Sequence, residues 1–281
     1  MAGSTIKFAV CGFGNIGKRH ATIINSFPGA ELVALIDTNP AAFNDVLFPT
    51  GTPIFTSLLD FLKSNIKADV VNIATPNGLH CSQALLALEH SCHVVIEKPM
   101  GIDKADCEQV IQKAGEADKQ VFVVMQNRYS PPGQWMKKIV SDGLIGDVFT
   151  VQVNCYWNRD ERYYKKNGWR GTMMLDGGTL FTQFSHFIDI LYWVFGDIKD
   201  INAIFKNFNH VDMTKFEDSG VVNFEFEKGG IGSINFSTSV WDKNMESSIT
   251  VVGSKGSFKV GGQYMNTVEY CHIENYTMPA L

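Results

Sequence analysis

The 281-residue sequence predicts an α/β fold in two parts. A doubly wound parallel sheet spans residues 1–127, and an α+β domain with a mainly antiparallel, open-faced sheet spans residues 128–281. Three observations carry this. Short apolar, β-branched strands alternate with helical segments through the first half, the pattern of a sheet covered on both faces. A glycine run, Gly12-x-Gly14-x-x-Gly17, lies between the first strand and the first helix. After residue 148 the hydrophobic period drops to two, as in a sheet with one face buried.

Composition narrows the function classes before any motif is read. Hydrophobic residues make up 45% and charged residues 19%, which is ordinary globular usage. A net charge of −5 argues against a nucleic-acid surface, which would show as a basic patch or stripe, and points to a small-molecule partner. The six cysteines stand singly, with no Cys-x-x-Cys pair and no metal-ligand spacing to a histidine, so no metal is expected. The longest apolar run, residues 187–195, contains Asp189 and is far short of a membrane span. The first residues enter a strand without the charged and apolar regions of a signal peptide. A cytoplasmic protein with no membrane or nucleic-acid partner is the expectation.

In chain order, residues 7–11 form an apolar strand that meets Gly12-Phe13-Gly14-Asn15-Ile16-Gly17, and residues 18–26 read as a helix. This is the dinucleotide fingerprint in its required setting, strand before and helix after. Gly12 permits the tight turn, Gly14 lets backbone approach a pyrophosphate, and Gly17 lets helix and strand pack closely, while the helix N-terminus receives the negative charge. The next strand, residues 31–36, ends at Asp37, twenty residues after Gly17, where a ribose-binding carboxylate belongs. Asp37 would accept hydrogen bonds from the adenosine ribose and repel a 2′-phosphate. The Thr38-Asn39-Pro40 that follows offers no arginine, so NAD is favoured over NADP.

A helical segment at residues 57–64 leads to a strand at 69–74 that stops at Thr75-Pro76-Asn77-Gly78-Leu79-His80, a turn-rich loop at the sheet's carboxyl edge. A helix at 79–90 precedes the strand 92–96, which ends abruptly in Glu97-Lys98-Pro99. Ligands of open parallel sheets bind beyond the carboxyl ends of the strands, so Lys98 is delivered towards substrate. A helix at 104–118 and a strand at 121–125 end at Gln126-Asn127-Arg128-Tyr129. Asn77, His80, Glu97, Lys98, Gln126 and Arg128 thus recur at one sheet edge, although His80 alone reads more often as a helix-start histidine than as a catalyst.

Gly12-x-Gly14-x-x-Gly17, Ala74-Thr75-Pro76-Asn77-x-x-His80 and above all Glu97-Lys98-Pro99 resemble the glucose-fructose oxidoreductase, inositol dehydrogenase and MocA family. The likeness continues through Gly177-Gly178 to His186 and through Gly253-Ser254-Lys255-Gly256. It implies an NAD(P)-dependent oxidoreductase acting on CH–OH groups of sugars, sugar nucleotides or cyclitols. It also implies that Lys98 and His186 stand at the reacting carbon, that Thr75, Pro76, Asn77, His80, Glu97 and Lys98 line the cofactor, and that the chain forms a homo-oligomer, a dimer or tetramer. Relatives in that family continue further than Leu281, so the C-terminus is expected to be incomplete. One departure stands out: four residues before the histidine the family has Asp or Asn, and here there is Thr182.

In the second half, a helix at 133–142 leads to alternating Phe149, Val151, Val153, Cys155 and Trp157. Further strands are expected at 219–227, 232–240, 248–252 and 257–260, with an open face rich in Phe and Val for a second subunit to cover. A single helix over 179–195 puts Thr182, Ser185, His186 and Asp189 on one stripe. His186 is a core histidine satisfied by Asp189 or Thr182, or a base. The segment 154–170 holds Tyr156, Trp157, Tyr163, Tyr164 and Trp169 with Arg159, Arg162, Lys165, Lys166 and Arg170. Aromatic faces suit a sugar or base, and guanidinium forks suit phosphate or carboxylate. Tyr163, Trp169 and Arg170 are therefore candidate substrate residues. The expectation is oxidation of a nucleotide sugar. The alternatives are a catabolic inositol or free-sugar dehydrogenase, or an NAD-binding sensor without turnover.

Overall fold

In the computed structural model, which describes residues 5–44 and 51–281, six parallel strands stack in the order β3-β2-β1-β4-β5-β6. They are β1 (Ile6–Cys11), β2 (Ala30–Ile36), β3 (Ile54–Phe55), β4 (Val70–Ile73), β5 (His93–Ile96) and β6 (Val121–Val123). The helices between them are α1 (Asn15–Ser26), α2 (Leu58–Lys63), α3 (His80–Glu89) and α4 (Lys104–Glu116). Neighbouring β1 residues serve opposite faces: Val10 packs with Phe13, Ala21 and Ile24, whereas Ala9 and Cys11 join the core that holds α2, α3 and α4. Burial on both faces is why these strands read as continuous apolar runs. Residues 1–124 form one unit, and Met174–Gly177 returns to it: Gly78 N–H donates to the Leu175 carbonyl and Asn77 Nδ2 to the Asp176 carbonyl. The division therefore falls at Val124/Met125 rather than after residue 127, and it is not a single cut.

The second unit, Met125–Met173 with Gly178–Leu281, is built on seven strands in the order β13-β12-β11-β7-β10-β9-β8. These are β7 (Val148–Tyr156), β8 (Ile198–Lys206), β9 (Ser219–Phe226), β10 (Ile231–Ser237), β11 (Glu246–Gly253), β12 (Gly256–Gly261) and β13 (Thr267–Ile273). Only β7 and β10 pair in parallel. Its helices are α5 (Pro131–Ser141), α6 (Thr179–Thr182) and α7 (Ser185–Phe195). Helix α5 begins two residues earlier than its glycine suggests, since prolines are tolerated in a first turn, and Ser130 caps it by accepting from Gly133 N–H.

Two sequence expectations are corrected here. Most of the Phe and Val side chains do not form an open face: Val151, Val153, Val222, Phe224, Phe226, Ile234 and Phe236 are buried in one core with Phe187, Ile190 and Leu191 of α7 and Trp135, Met136 and Ile139 of α5. The uncovered face is mixed: Thr150, Gln152 and Asn154 of β7, Ser233 and Asn235 of β10 and Asn223 and Glu225 of β9 share it with the exposed Val221, Ile231 and Val252. The helix expected over 179–195 is also two helices, because Phe184 leaves helical geometry at φ −114°, ψ 7° and buries its ring against Trp157 and Phe236.

Candidate active site

The cofactor half lies wholly in the first unit. Gly12 sits at φ +89°, and a Cβ there would come within 2.5 Å of the Ala74 carbonyl oxygen. A Cβ on Gly17 would lie 1.8 Å from the Gly12 carbonyl, so α1 is held against the turn at a distance only glycine allows. Gly14, by contrast, has open space around it, and α1 starts there with no side-chain cap and no acidic residue in its first turn. Free N–H groups in an uncapped first turn are an anion site, which fits a pyrophosphate. Asn15 and Ile16 are exposed on that turn, whereas Phe13 turns inward and stacks on Phe43, so it contributes backbone rather than side chain. Asp37, half-buried just past β2, accepts the Phe13 N–H at 2.7 Å through Oδ2 and the Asn39 N–H at 2.8 Å through Oδ1. The carboxylate is thereby fixed beside the glycine turn, as the fingerprint requires.

At the next two strand ends the loops are tied to each other. His80 is fully buried, with Nδ1 2.7 Å from the Pro99 carbonyl and Nε2 2.9 Å from the Thr75 carbonyl. Burial lowers its pKa against the pull of those carbonyls. A buried ring with both nitrogens engaged is a strut joining the 75–80 loop to the loop after Lys98, not the cofactor contact expected from the motif. Asn77 is likewise buried, and its amide donates to Asp176. The Thr75 hydroxyl bonds Gln83 at 2.6 Å, and Pro76 leads into the 3-10 turn of residues 77–79. Lys98 is half-buried past β5. Glu97 Oε1 lies 2.9 Å from His20 Nε2, and its Oε2 accepts the Lys98 backbone N–H at 3.2 Å. His20 was not singled out in the sequence, although it lies three residues past Gly17, one helical turn along α1.

The second unit carries the other candidates. His186, the second residue of α7, is 7% exposed, and Thr182, the last of α6, is 8% exposed. Asp189 is engaged by Arg128 in a bidentate pair, Nε to Oδ2 at 2.8 Å and Nη2 to Oδ1 at 2.5 Å. The pair raises the Arg128 pKa. Expected as substrate groups, these two are committed to each other. Gln126 is exposed in the 3-10 turn that also carries Arg128.

The basic segment separates into structural and available cations. Arg162 is held by Asp160 and Asp242, and it drives the Asp160 pKa down to about 2. Arg159, whose burial lowers its pKa, lies over Trp157 and Tyr163 and donates to Gln183 Oε1 at 2.6 Å. Gln183 Nε2 donates to the Tyr163 hydroxyl at 2.7 Å, so Tyr163 is clamped. Arg170 stacks on the Tyr163 ring at 4.5 Å and on Trp169 at 4.9 Å. It is exposed, and no carboxylate among the described residues pairs with it. Stacking leaves the guanidinium edge, with its forked donors, open to an anion. Gln183 was not foreseen, because a glutamine in the gap between two helices carries no periodic signal.

Known proteins bear on this arrangement directly. Residues 6–125 match the oxidoreductase family with an NAD-binding Rossmann fold, GFO/IDH/MocA, and residues 134–259 match the C-terminal domain of the same family. The chain belongs to the GFO/IDH/MocA family. Within it, the WlbA dehydrogenase of Bordetella pertussis, solved with NADH and UDP-GlcNAcA, is 36% identical at a TM-score of 0.90, over 96% of this chain and 83% of that one. The WlbA dehydrogenase of Chromobacterium violaceum, solved with the same two molecules, is 34% identical at a TM-score of 0.92, over 99% of this chain and 80% of that one. A 2,7-anhydro-N-acetylneuraminate hydratase of Escherichia coli K12 is 25% identical over 92% of this chain and 68% of its own length. This GFO/IDH/MocA member is thus an oxidoreductase with NAD as its cofactor, and the Gly12–Gly17 turn with Asp37 fits that cofactor. Among the described residues no group of His, Cys, Asp or Glu is disposed to hold a metal, and no helix is long and apolar enough to cross a membrane.

Proposed function

We propose that this protein oxidises a secondary carbinol of a nucleotide sugar, with His186 as the base and Lys98 as the group that holds the reacting oxygen. The observation that carries the nucleotide-sugar reading is Arg170, an unpaired guanidinium stacked on Tyr163 and Trp169 in a chain of net charge −5. Two relatives above 30% identity that bind UDP-GlcNAcA support it. A diphosphate or uronate carboxylate offers the paired oxygens that a guanidinium fork matches, and binding at that remote group orients the sugar carbon.

A carbinol becomes a carbonyl only if a hydride and the hydroxyl proton both leave. Bound NAD supplies the hydride acceptor. His186 takes the proton, a service that contributes about 10²–10⁴-fold when the base is well placed. Lys98 donates a hydrogen bond to the same oxygen as negative charge grows on it, and this contact strengthens most in the transition state. Thr182, Trp169 and Tyr163 complete the sugar contacts, with a hydroxyl at 182 in place of the carboxyl or amide implied by the family resemblance. The protein works in the cytoplasm, where its six free thiols stay reduced, as a homo-oligomer.

The test is the Michaelis constant of Arg170→Ala. It should rise roughly ten- to a hundred-fold for UDP-GlcNAcA, the loss of a charged hydrogen-bonding partner, and change little for a free sugar. An unchanged ratio returns the protein to free-sugar or inositol chemistry. The hydratase relative motivates a second reading, the redox-neutral addition of water to an anhydro sugar. Net NADH accumulation during turnover separates the two.

A further inference from the structure

Strand β4 is buried at every position, yet its sequence is Val70-Val71-Asn72-Ile73. The amide is kept for a neighbour. Asn72 Nδ2 lies 2.9 Å from His20 Nδ1, and Asn72 Oδ1 has no hydrogen-bond partner among the described residues. A buried acceptor left unsatisfied destabilises the fold, so the amide's other end must serve something that apolar packing would not. His20 Nε2 in turn lies 2.9 Å from Glu97 Oε1, with both side chains largely out of solvent at 11% and 15% exposure. Glu97 Oε2 takes the Lys98 backbone N–H.

A carboxylate facing a ring nitrogen at that distance needs a proton between them, so Nε2 carries the hydrogen, and Nδ1 is left as the acceptor that the Asn72 amide N–H satisfies. The chain Asn72 → His20 → Glu97 ← Lys98 N–H runs from the middle of the sheet to Lys98, two residues past the end of β5. We propose that His20 is a positioning residue: fixed as the Nε2–H tautomer by Asn72, it holds the Glu97 carboxylate that sets the backbone of Lys98, so that the lysine ammonium is aimed at the reacting oxygen. Glu97 is then a strut rather than an acid. This rests on the reading of Lys98 given above.

The experiment combines imidazole ¹⁵N spectra of the parent with NAD affinity and steady-state rates, using NAD and UDP-GlcNAcA, for His20→Phe, His20→Gln and Lys98→Met. His20 should show a protonated Nε2. His20→Phe should lower kcat about ten- to a hundred-fold, the loss of a charge-assisted hydrogen bond, with NAD affinity within about three-fold of the parent. His20→Gln, whose amide N–H reaches the place of Nε2, should recover most of that rate; pinning α1 to the sheet by bulk alone would favour Phe instead. An unprotonated Nε2, a His20→Phe rate within about two-fold of the parent, or a loss of NAD affinity matching the loss of rate overturns the proposal. If His20→Phe does not fold, the spectrum and His20→Gln decide, since a folded glutamine variant that fails to turn over removes the role. A Lys98→Met enzyme that keeps its rate overturns the reading of Lys98 itself, a result distinguishable from failure of the His20 proposal, in which Lys98→Met is inactive and His20→Phe is not.

Discussion

Asp37 shows how one carboxylate can serve both structure and selectivity. Its two oxygens are already held by the Phe13 and Asn39 N–H groups, so its position does not depend on a bound ribose. Asp37→Asn keeps an acceptor oxygen for the turn and removes the charge. NAD binding should weaken roughly ten-fold while NADP binding improves, and titration of both nucleotides against parent and variant checks it. At the chemical step, Lys98→Met should leave NAD binding nearly intact and lower kcat about a hundred-fold or more, because its hydrogen bond matters most when charge develops on oxygen. His186→Asn should do the same and also erase the fall in rate on the acid side of the pH profile, since a base is silenced by its own protonation. A variant that keeps that limb would assign the titration to another group.

Elements differ in how far their sequence betrays them. The Gly12–Gly17 turn was legible because a Cβ at Gly12 or Gly17 would strike backbone while Gly14 leaves room for a ligand, and β1, β4 and β5 because burial on both faces leaves mainly apolar runs. Strand β8 was not legible. It is an edge strand, exposed along nearly its whole length, and positive φ at Asp200 shifts its register against β9, so no period of two survives. The break between α6 and α7 was hidden because Phe184 is as apolar as a helix core would require. The pairing of Arg128 with Asp189 joins residues 61 apart, which spacing does not reveal. The same limit hid the buried His210 and Asp218, 1% exposed each, with His210 Nδ1 3.3 Å from Asp218 Oδ2 and Tyr164 against the ring. Burial lowers the His210 pKa more than Asp218 raises it, and backbone N–H groups of Phe208 and Asn209 help hold the Asp218 pKa low against its own burial. Each folded pKa lies below its unfolded value, so the unfolded chain binds more protons and stability falls as pH drops. Below the ordinary histidine value of 6.5 the second unit should lose stability first through His210. Melting curves between pH 8 and 5 should show the decline, and His210→Phe should flatten it, in a range spanning roughly the unperturbed histidine pKa.

For the molecule as a whole, the family fixes the cofactor, and the basic and aromatic residues of 154–170 carry the proposed substrate contacts. NAD at about a hundred times its dissociation constant should stabilise the folded chain by about 2.7 kcal/mol, a rise of several degrees in Tm, with a much smaller rise from NADP at equal concentration. Equal shifts would mean that Asp37 does not select between them. The central claim, oxidation of a nucleotide sugar at a carbinol, meets its most direct test in NADH formation by the parent enzyme with UDP-GlcNAcA set against free sugars and inositol. The account predicts NADH from the UDP-sugar, with kcat/KM at least about ten-fold above any free sugar or cyclitol, in keeping with one charged anchoring contact. Turnover of free inositol or glucose as efficiently as the UDP-sugar would contradict it.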